Sequence, residues 1–484
     1  VTAAHDDHTT AGQPAPLSRR QLLRQALALG GWAAGGLAGS GLLAACGTTV
    51  GRSSAAPGRS SAAGSLASAR RAPGSLPFPD RAAGTDTLPQ IDHIVVLMME
   101  NHSYDNYLGM LPRGDGFTLD HRGRPTNSNP MGDGRRLLAF AMPNDCQLDG
   151  KPSQEWQASH EQYDQGTNQG FVTSPSGPVA MGYWDHSTIP FAYSLASTFP
   201  LADRWFCSLL GQTYPNRRYL TAATSAGMVD DVASQLATSP PHGTIFDRLE
   251  HYGISWRDYY HTTSLPTVDV WLSDPSVRSP NVVPVEQFFT DAAAGTLPGF
   301  AIVDPDFEHG SEEDPQDIAV GQAFAAQVVD AVMHSPAWER TLLVWTYDEH
   351  GGYYDHVPPP PAVAPDAIGP LAPVGPDGEP AYDGFHRYGF RVPAVVVSAW
   401  ARPNHVTHVV HDHTSILAMV ERKWNLPALT YRDANAADLT DFLDLSRPAF
   451  ADPPQLSSAS TPAARCTPGD AGTIPPPGSI VGAH

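Results

Sequence analysis

Three stretches of the chain are almost continuously apolar: Ile91–Met99 (IDHIVVLMM), Thr341–Tyr347 (TLLVWTY) and Phe390–Ala399 (FRVPAVVVSA). Rich in β-branched residues and lacking a two-residue alternation, they predict strands covered on both faces. Phe300–Val303 predicts a short fourth strand. Ile318–Met333 (IAVGQAFAAQVVDAVM) has apolar residues at helical spacing and no proline, which predicts a helix. Ser415–Trp424 predicts another, with Asp412-His413-Thr414 as capping material at its start. Leu439–Leu443 reads as a short helical turn. Strands alternating with helices point to an α/β fold with a mainly parallel sheet, whose sites lie outside the carboxyl ends of the strands.

Polar clusters stand at two such ends. Glu100-Asn101-His102 follows the first strand, and Asp348-Glu349-His350 follows Thr341–Tyr347. Between the regular elements, 112–185 is irregular and 357–381 is a proline-rich loop. Glycine (43) and proline (47) are abundant, so long loops are expected. A folded domain is expected over 89–450, followed by an irregular tail over 451–484.

The first residues read differently. Ser18-Arg19-Arg20-Gln21-Leu22-Leu23-Arg24 precedes a Gly/Ala-rich uncharged run, and Leu43-Ala44-Ala45-Cys46 closes it. This resembles a twin-arginine export signal over 1–45 with a lipoprotein cleavage box, Cys46 bearing the lipid. Cleavage near Ala45 with release of a soluble protein is the alternative. The run's many glycines speak against a membrane-spanning helix. Residues 46–88 are rich in Ser, Ala, Gly and Pro and read as a disordered tether. An exported, membrane-anchored protein is the expectation.

The formal net charge is −21 and the first 85 residues are net basic, so the folded part is strongly acidic. Such a surface repels nucleic acid. Four cysteines are present, Cys46, Cys146, Cys207 and Cys466. With Cys46 in the signal, at most one pair forms within the chain. Oligomeric state is not encoded in any pattern here.

A carboxylate beside an amide oxygen offers hard donors for a divalent cation, calcium, magnesium, manganese, zinc or iron being left open. Trp345–Pro360 (WTYDEHGGYYDHVPPP) adds Asp348, Glu349, His350, Asp355 and His356. Buried carboxylates are costly without a counter-charge, which a cation would supply. In Leu209–Thr224 (LLGQTYPNRRYLTAAT), Thr213 needs a metal or base to become a nucleophile, and Arg217 has the fork geometry that holds two phosphate oxygens. His309 follows Asp304-Pro305-Asp306-Phe307-Glu308, and His160, His186, His405, His408, His411 and His413 lie among polar loops.

MMENHSYDNYLG, GQTYPNRRYL, PDFEHG and YDEHGGYYDHVPPP, in this order, resemble the successive signature blocks of the phosphoesterase family. That family contains the non-specific phospholipases C of bacteria and plants and related acid phosphatases. The resemblance spans roughly residues 90–425. It implies a three-layer α/β/α sandwich like that of alkaline phosphatase, with loop-rich insertions. It implies metal binding by Glu100, Asn101, Asp348 and Glu349, with Thr213 as a nucleophile that also meets the metal. His309 and His160 would face the leaving group or the phosphoryl oxygens. Arg217 and Asn216 belong to the nucleophile block, and His350 and His356 to the last one. Gln169 departs from the family, where an acidic residue often precedes the Gly-Phe pair, so no substrate contact is carried over to that loop. The implied reaction is cleavage of phosphatidylcholine-type phospholipids to diacylglycerol and a phosphorylated head group through a phosphothreonine. An acid phosphatase acting on monoesters and a surface lipoprotein that binds without turnover are the alternatives.

Overall fold

The structure, a computed structural model, describes residues 70–484 apart from 148–150, 233–234, 237, 262–266, 272–279, 373–381, 463–472 and 483–484. The expected export signal, the first part of the tether, Cys46 and Cys466 lie outside the described residues.

The central sheet has eight strands: β1 (His93–Met99), β2 (Leu201–Ala202), β3 (Trp256–Tyr260), β4 (Val282–Pro284), β5 (Phe300–Val303), β6 (Thr341–Tyr347), β7 (Ala394–Ser398) and β8 (Val406–Thr407). Their order is β8-β2-β7-β6-β1-β5-β3-β4. All run parallel except β7, which is antiparallel to both β6 and β2. The four strands expected from apolar runs are thus β1, β5, β6 and β7. The three longest of them occupy the middle, where every residue of β6 and β7 is buried. A strand covered on both faces needs no polar alternation, which is why continuous apolar runs mark the centre of the sheet.

Nine α-helices are described: α1 (Tyr104–Leu108), α2 (Trp156–Tyr163), α3 (Pro190–Thr198), α4 (Thr213–Ala222), α5 (Ile245–His251), α6 (Val285–Ala294), α7 (Ile318–Met333), α8 (His413–Trp424) and α9 (Tyr431–Ala434). They form two sets around the sheet. In one, α7 packs on β1 and β6 and touches α3 and α6; in the other, α4 packs against α8 and α5, and α8 against α9. The result is the expected three-layer α/β/α arrangement. Helix α7 has the bounds its periodicity predicts. Helix α8 starts after Asp412, whose N–H donates to Ser415 Oγ at 3.2 Å.

One expectation from composition is corrected. Residues 71–88, assigned to the tether, are packed onto the end of α8. Asn425 Nδ2 donates to the carbonyls of Phe78, Arg81 and Ala82 at 3.0–3.1 Å. The buried Lys423 ammonium meets Asp86 at 2.6 Å. Pro/Gly/Ala-rich coil lacks periodicity whether or not it packs, and here backbone carbonyls, invisible in composition, do the docking. The tail is likewise tied down in part. Leu456 and Ala459 pack against the core, and Ile480–Val481 pairs antiparallel with Arg136–Leu138. Cys146 is disulfide-bonded, and Cys207 is free and buried.

Candidate functional site

The ladder between β1 and β6 runs in register from His93↔Thr341 to Met99↔Tyr347. Glu100 and Asp348, each the next residue, therefore emerge side by side at the carboxyl ends of adjacent parallel strands. The Asp348 N–H donates to Met99 O and the Asn101 N–H to Asp348 Oδ1, both at 3.2 Å. Glu100, Asp348 and Glu349 are fully buried. Burial pushes the Glu349 carboxyl well above the usual carboxylate range, Asp348 adds to it, and Asp231 and Glu100 push the same way. The first four expected ligands are thus in one place. Asp231, from a loop without periodicity, is an addition that no sequence pattern signalled.

The chain turns tightly here. Asn101 has φ +72° and Gly351 φ +65°. A Cβ on Gly351 would stand 1.9 Å from the Asn101 carbonyl oxygen. Only glycine permits that approach. The Gly351 N–H in turn donates to Glu349 Oε2 at 2.7 Å, fixing the carboxylate's orientation.

Helix α4 begins at Thr213, with Gln212 as its N-cap in extended conformation. The Tyr214 N–H donates to Asp231 Oδ1 at 2.7 Å. One turn on, Arg217 reaches the acidic cluster: its Nε donates to Asp348 Oδ2 at 3.1 Å. Residues four apart share a helix face, so Thr213 is on the same face of α4 as Arg217. Thr213 is 1% exposed.

Arg217 does something other than what its sequence context suggests. Besides Asp348, its guanidinium donates to Thr267 Oγ1 at 2.9 Å, to Asp304 Oδ1 at 3.4 Å, and to the Met98 and Met99 carbonyls at 3.1 and 3.2 Å. The Phe307 ring covers it, 4.7 Å away. The side chain is fully buried and its donors are in use, leaving no fork for a phosphate. Arg217 ties α4 to the ends of β1, β5 and β6. Asn216 is also structural: its Oδ1 accepts from the Ser208 and Leu209 N–H groups at 2.8 and 3.2 Å.

The histidines separate. His309 stands on the Asp306–Gly310 turn, largely exposed, its Nδ1 3.4 Å from Asp306 Oδ2. That turn also carries the Phe307 that covers Arg217. His160 is held away by α2: its Nδ1 bonds the Trp156 carbonyl at 2.7 Å. A carbonyl only accepts, so Nδ1 keeps the proton and Nε2 the lone pair. Burial lowers the His160 pKa to about 4. At neutral pH it has no second proton to give, which corrects the expectation of a leaving-group acid there. His350 donates from Nε2 to Gln162 Oε1 at 2.6 Å, and His413 Nε2 meets the Asp348 carbonyl at 2.7 Å. His413 thus supports the cluster's backbone, while His350 is tied to α2. His408 pairs with Asp203, His411 with Asp441, and the exposed His186 lies 4.0 Å from Asp185. His405 is an intermediate position whose pKa is lowered by partial burial.

Whether this site suits a cation is decided by its unmatched atoms. Asn101 Oδ1 and Glu349 Oε1 are buried without a hydrogen-bond partner. Two acceptor oxygens orphaned beside further carboxylates fit a hard divalent ion. A second acidic group, Asp105, Asp355 and His356, has ligand atoms close enough to hold a metal. It carries its own counter-charge, however. Arg391 bonds Asp105 Oδ1 at 3.1 Å and Asp355 Oδ1 at 2.9 Å, and His356 Nδ1 meets Asp105 Oδ2 at 2.7 Å. His356 thus belongs to this ion network. Adding divalent cations to chelator-stripped protein is expected to raise its melting temperature. At a hundredfold excess over Kd, binding to the native state alone stabilises by about 2.7 kcal/mol. Asn101→Ala should weaken that response, and a thermal scan unmoved by every one of these cations would contradict the assignment.

Behind the cluster, the Glu100 N–H donates to Ser311 O at 3.0 Å, and the next residue, Glu312, is buried among rings. Tyr107 and Tyr347 donate their hydroxyls to its Oε2 at 2.7 and 2.6 Å, and Gln322 donates to Oε1 at 3.0 Å. Burial raises the Glu312 pKa to about 7 despite these bonds. The unfolded chain ionises this group near its ordinary value, the folded chain only near 7. Its contribution to stability is therefore full at low pH and lost as pH rises through that window, by about 3 kcal/mol. Urea unfolding across this range should show that decline, flattening above pH 7, and Glu312→Gln should remove it.

A profile of the Phosphoesterase family matches residues 91–427. Non-specific phospholipase C1 of Arabidopsis thaliana is 33% identical over 382 residues, covering 71% of this chain and 69% of that protein. Phospholipase C A of Mycobacterium tuberculosis is 28% identical over 434 residues, covering 79% and 83%. Among solved structures, a protein in the alkaline phosphatase superfamily from Vibrio parahaemolyticus matches with a TM-score of 0.37 and 12% identity, covering 76% of this chain and 74% of that one. A similarity of that order bears on neither chemistry nor substrate. Among the described residues, no helix is long and apolar enough to cross a membrane.

Proposed function

Because the chain belongs to the phosphoesterase family and is a phosphoric ester hydrolase, we propose that it is a phospholipase C acting on phosphatidylcholine-type lipids through Thr213. One observation carries this reading. The in-register ends of β1 and β6 bring Glu100, Asn101, Asp348 and Glu349 together, and Arg217, one turn along α4 from Thr213, bonds Asp348.

Glu100, Asn101, Asp348 and Glu349 would hold the divalent cation, with the Thr213 hydroxyl beside it. Bound there, the cation supplies Lewis acidity that lowers the hydroxyl pKa and balances charge on the phosphoryl oxygens. Thr213 sits at the positive end of the α4 dipole, which favours the anion formed on it. Its oxygen attacks phosphorus as the hydroxyl proton passes to solvent, and the bond from phosphorus to the glycerol oxygen breaks. His309, a largely exposed side chain on the Asp306–Gly310 turn, would give that oxygen its proton, so diacylglycerol leaves. Water then cleaves the phosphothreonine, releasing the phosphorylated head group and restoring the threonine hydroxyl. An export signal with a lipid on Cys46 belongs to the same reading, since it would place the enzyme at a membrane surface where its substrate lies.

The test is an assay of purified, metal-supplemented protein on phosphatidylcholine. Diacylglycerol and phosphocholine are expected in equal amounts. Rapid phosphate release from simple monoesters without any diacylglycerol would overturn the diesterase reading and leave a monoester phosphatase.

A further inference from the structure

Helix α2 separates two environments. Gln162 bonds His350, the neighbour of Glu349. His160, two residues earlier, is about 200° away around the helix and lines a cavity of about 690 Å³ that the reaction above does not use. Three rings and three carboxylates shape this cavity: His160, Tyr163, Tyr382, Glu161, Asp164 and Asp383. The His160 and Tyr382 rings are stacked, their centroids 3.9 Å apart and their planes within 14°.

The polarity of this wall is one-sided. His160 is 7% exposed. With its Nδ1 proton committed to Trp156 O, its Nε2 presents a lone pair and has no partner among the described residues. Asp383 is paired with Arg387 at 2.7 Å, and that guanidinium lies over the Tyr163 ring at 4.7 Å. The partners of Glu161 and Asp164 are neutral: Gln157 at 3.0 Å and Thr167 at 2.6 Å. The cavity thus offers acceptors, negative charge and aromatic faces. The complementary ligand is cationic, carries apolar surface and brings any N–H or O–H as a donor.

We propose that this cavity is a binding site for an organic ammonium group, separate from the carboxylate cluster. It does not depend on how the cluster works. The ammonium belongs either to a free amino alcohol or to the head group of a lipid in a membrane, and the chemistry is common to both.

Calorimetric titration of the full chain with choline tests the proposal, with 3,3-dimethylbutanol, its neutral isostere, as the control. Choline should bind at least about tenfold more tightly than the isostere, the scale of a desolvated cation–π contact. Glu161→Gln with Asp164→Asn, and separately Tyr382→Ala, should each weaken choline about tenfold. Equal binding of choline and its isostere, which needs no variant, overturns the proposal, as does undiminished choline binding by both variants. Sedimentation with phosphatidylcholine vesicles, against phosphatidylglycerol vesicles, then separates the sources. Variants that lose vesicle association as well as choline identify the lipid head group. Variants that lose choline alone identify the free amine.

Discussion

Thr213→Ala should abolish turnover while leaving the fold intact. Removing the nucleophile of an enzyme that works through a covalent intermediate typically costs on the order of 10⁴–10⁶ in kcat. The lost groups are one hydroxyl and one methyl at the first position of α4, where alanine is sterically free, so the melting temperature should move little. Thr213→Ser keeps the hydroxyl and should retain activity. The decisive readout is acid quench with labelled substrate: wild type should yield threonine at residue 213 esterified by the phosphorylated head group, the serine variant the corresponding serine ester, and the alanine variant no labelled protein. An alanine variant hydrolysing at the wild-type rate would remove Thr213 from the mechanism, even if the rest of the site stood.

Arg217→Met, and equally Arg217→Lys, should destabilise the whole domain. The guanidinium neutralises Asp348 and Asp304 where neither is exposed. Burial pushes the Asp304 carboxyl up, and Arg217 is the chief force pulling it back. Removing one partner of a buried ion pair costs about 3–5 kcal/mol, because the other charge is left uncompensated. Lysine keeps a charge but cannot serve two carboxylates, a hydroxyl and two carbonyls in one plane. Urea unfolding should therefore show both variants weakened, with cation-induced stabilisation reduced in parallel. A phosphate clamp would behave differently, raising KM at unchanged stability. That outcome would return Arg217 to the substrate.

The contrast between these residues shows how far the sequence was readable. β1, β5, β6 and β7 were legible because each carries its own apolar run. β2 and β8, two residues each, are too short for any period and exist because neighbours offer them a ladder. Glu100, Asn101, Asp348 and Glu349 were legible because a polar group directly after a buried strand has few places to go. Thr213 came from the family resemblance, not from its turn. Arg217 was misread because its partners, Asp304, Thr267 and the Met98 carbonyl, come from elements that only long-range folding assembles. The Arg391 network and Asp231 were missed for the same reason. His160 was misread because its tautomer is set by a carbonyl one helical turn away.

The strand ladder has one more consequence. Glu100 and Asp348 face one another because β1 and β6 are aligned residue for residue, so the hydrophobic interior acts as the ruler for the oxygen cage at its edge. A single-residue slip would send alternate side chains to the opposite face and take the cage apart without touching one of its members. On the proposed function, packing quality deep in the sheet and ion affinity at its rim are therefore one property, measured at two ends of the same strands.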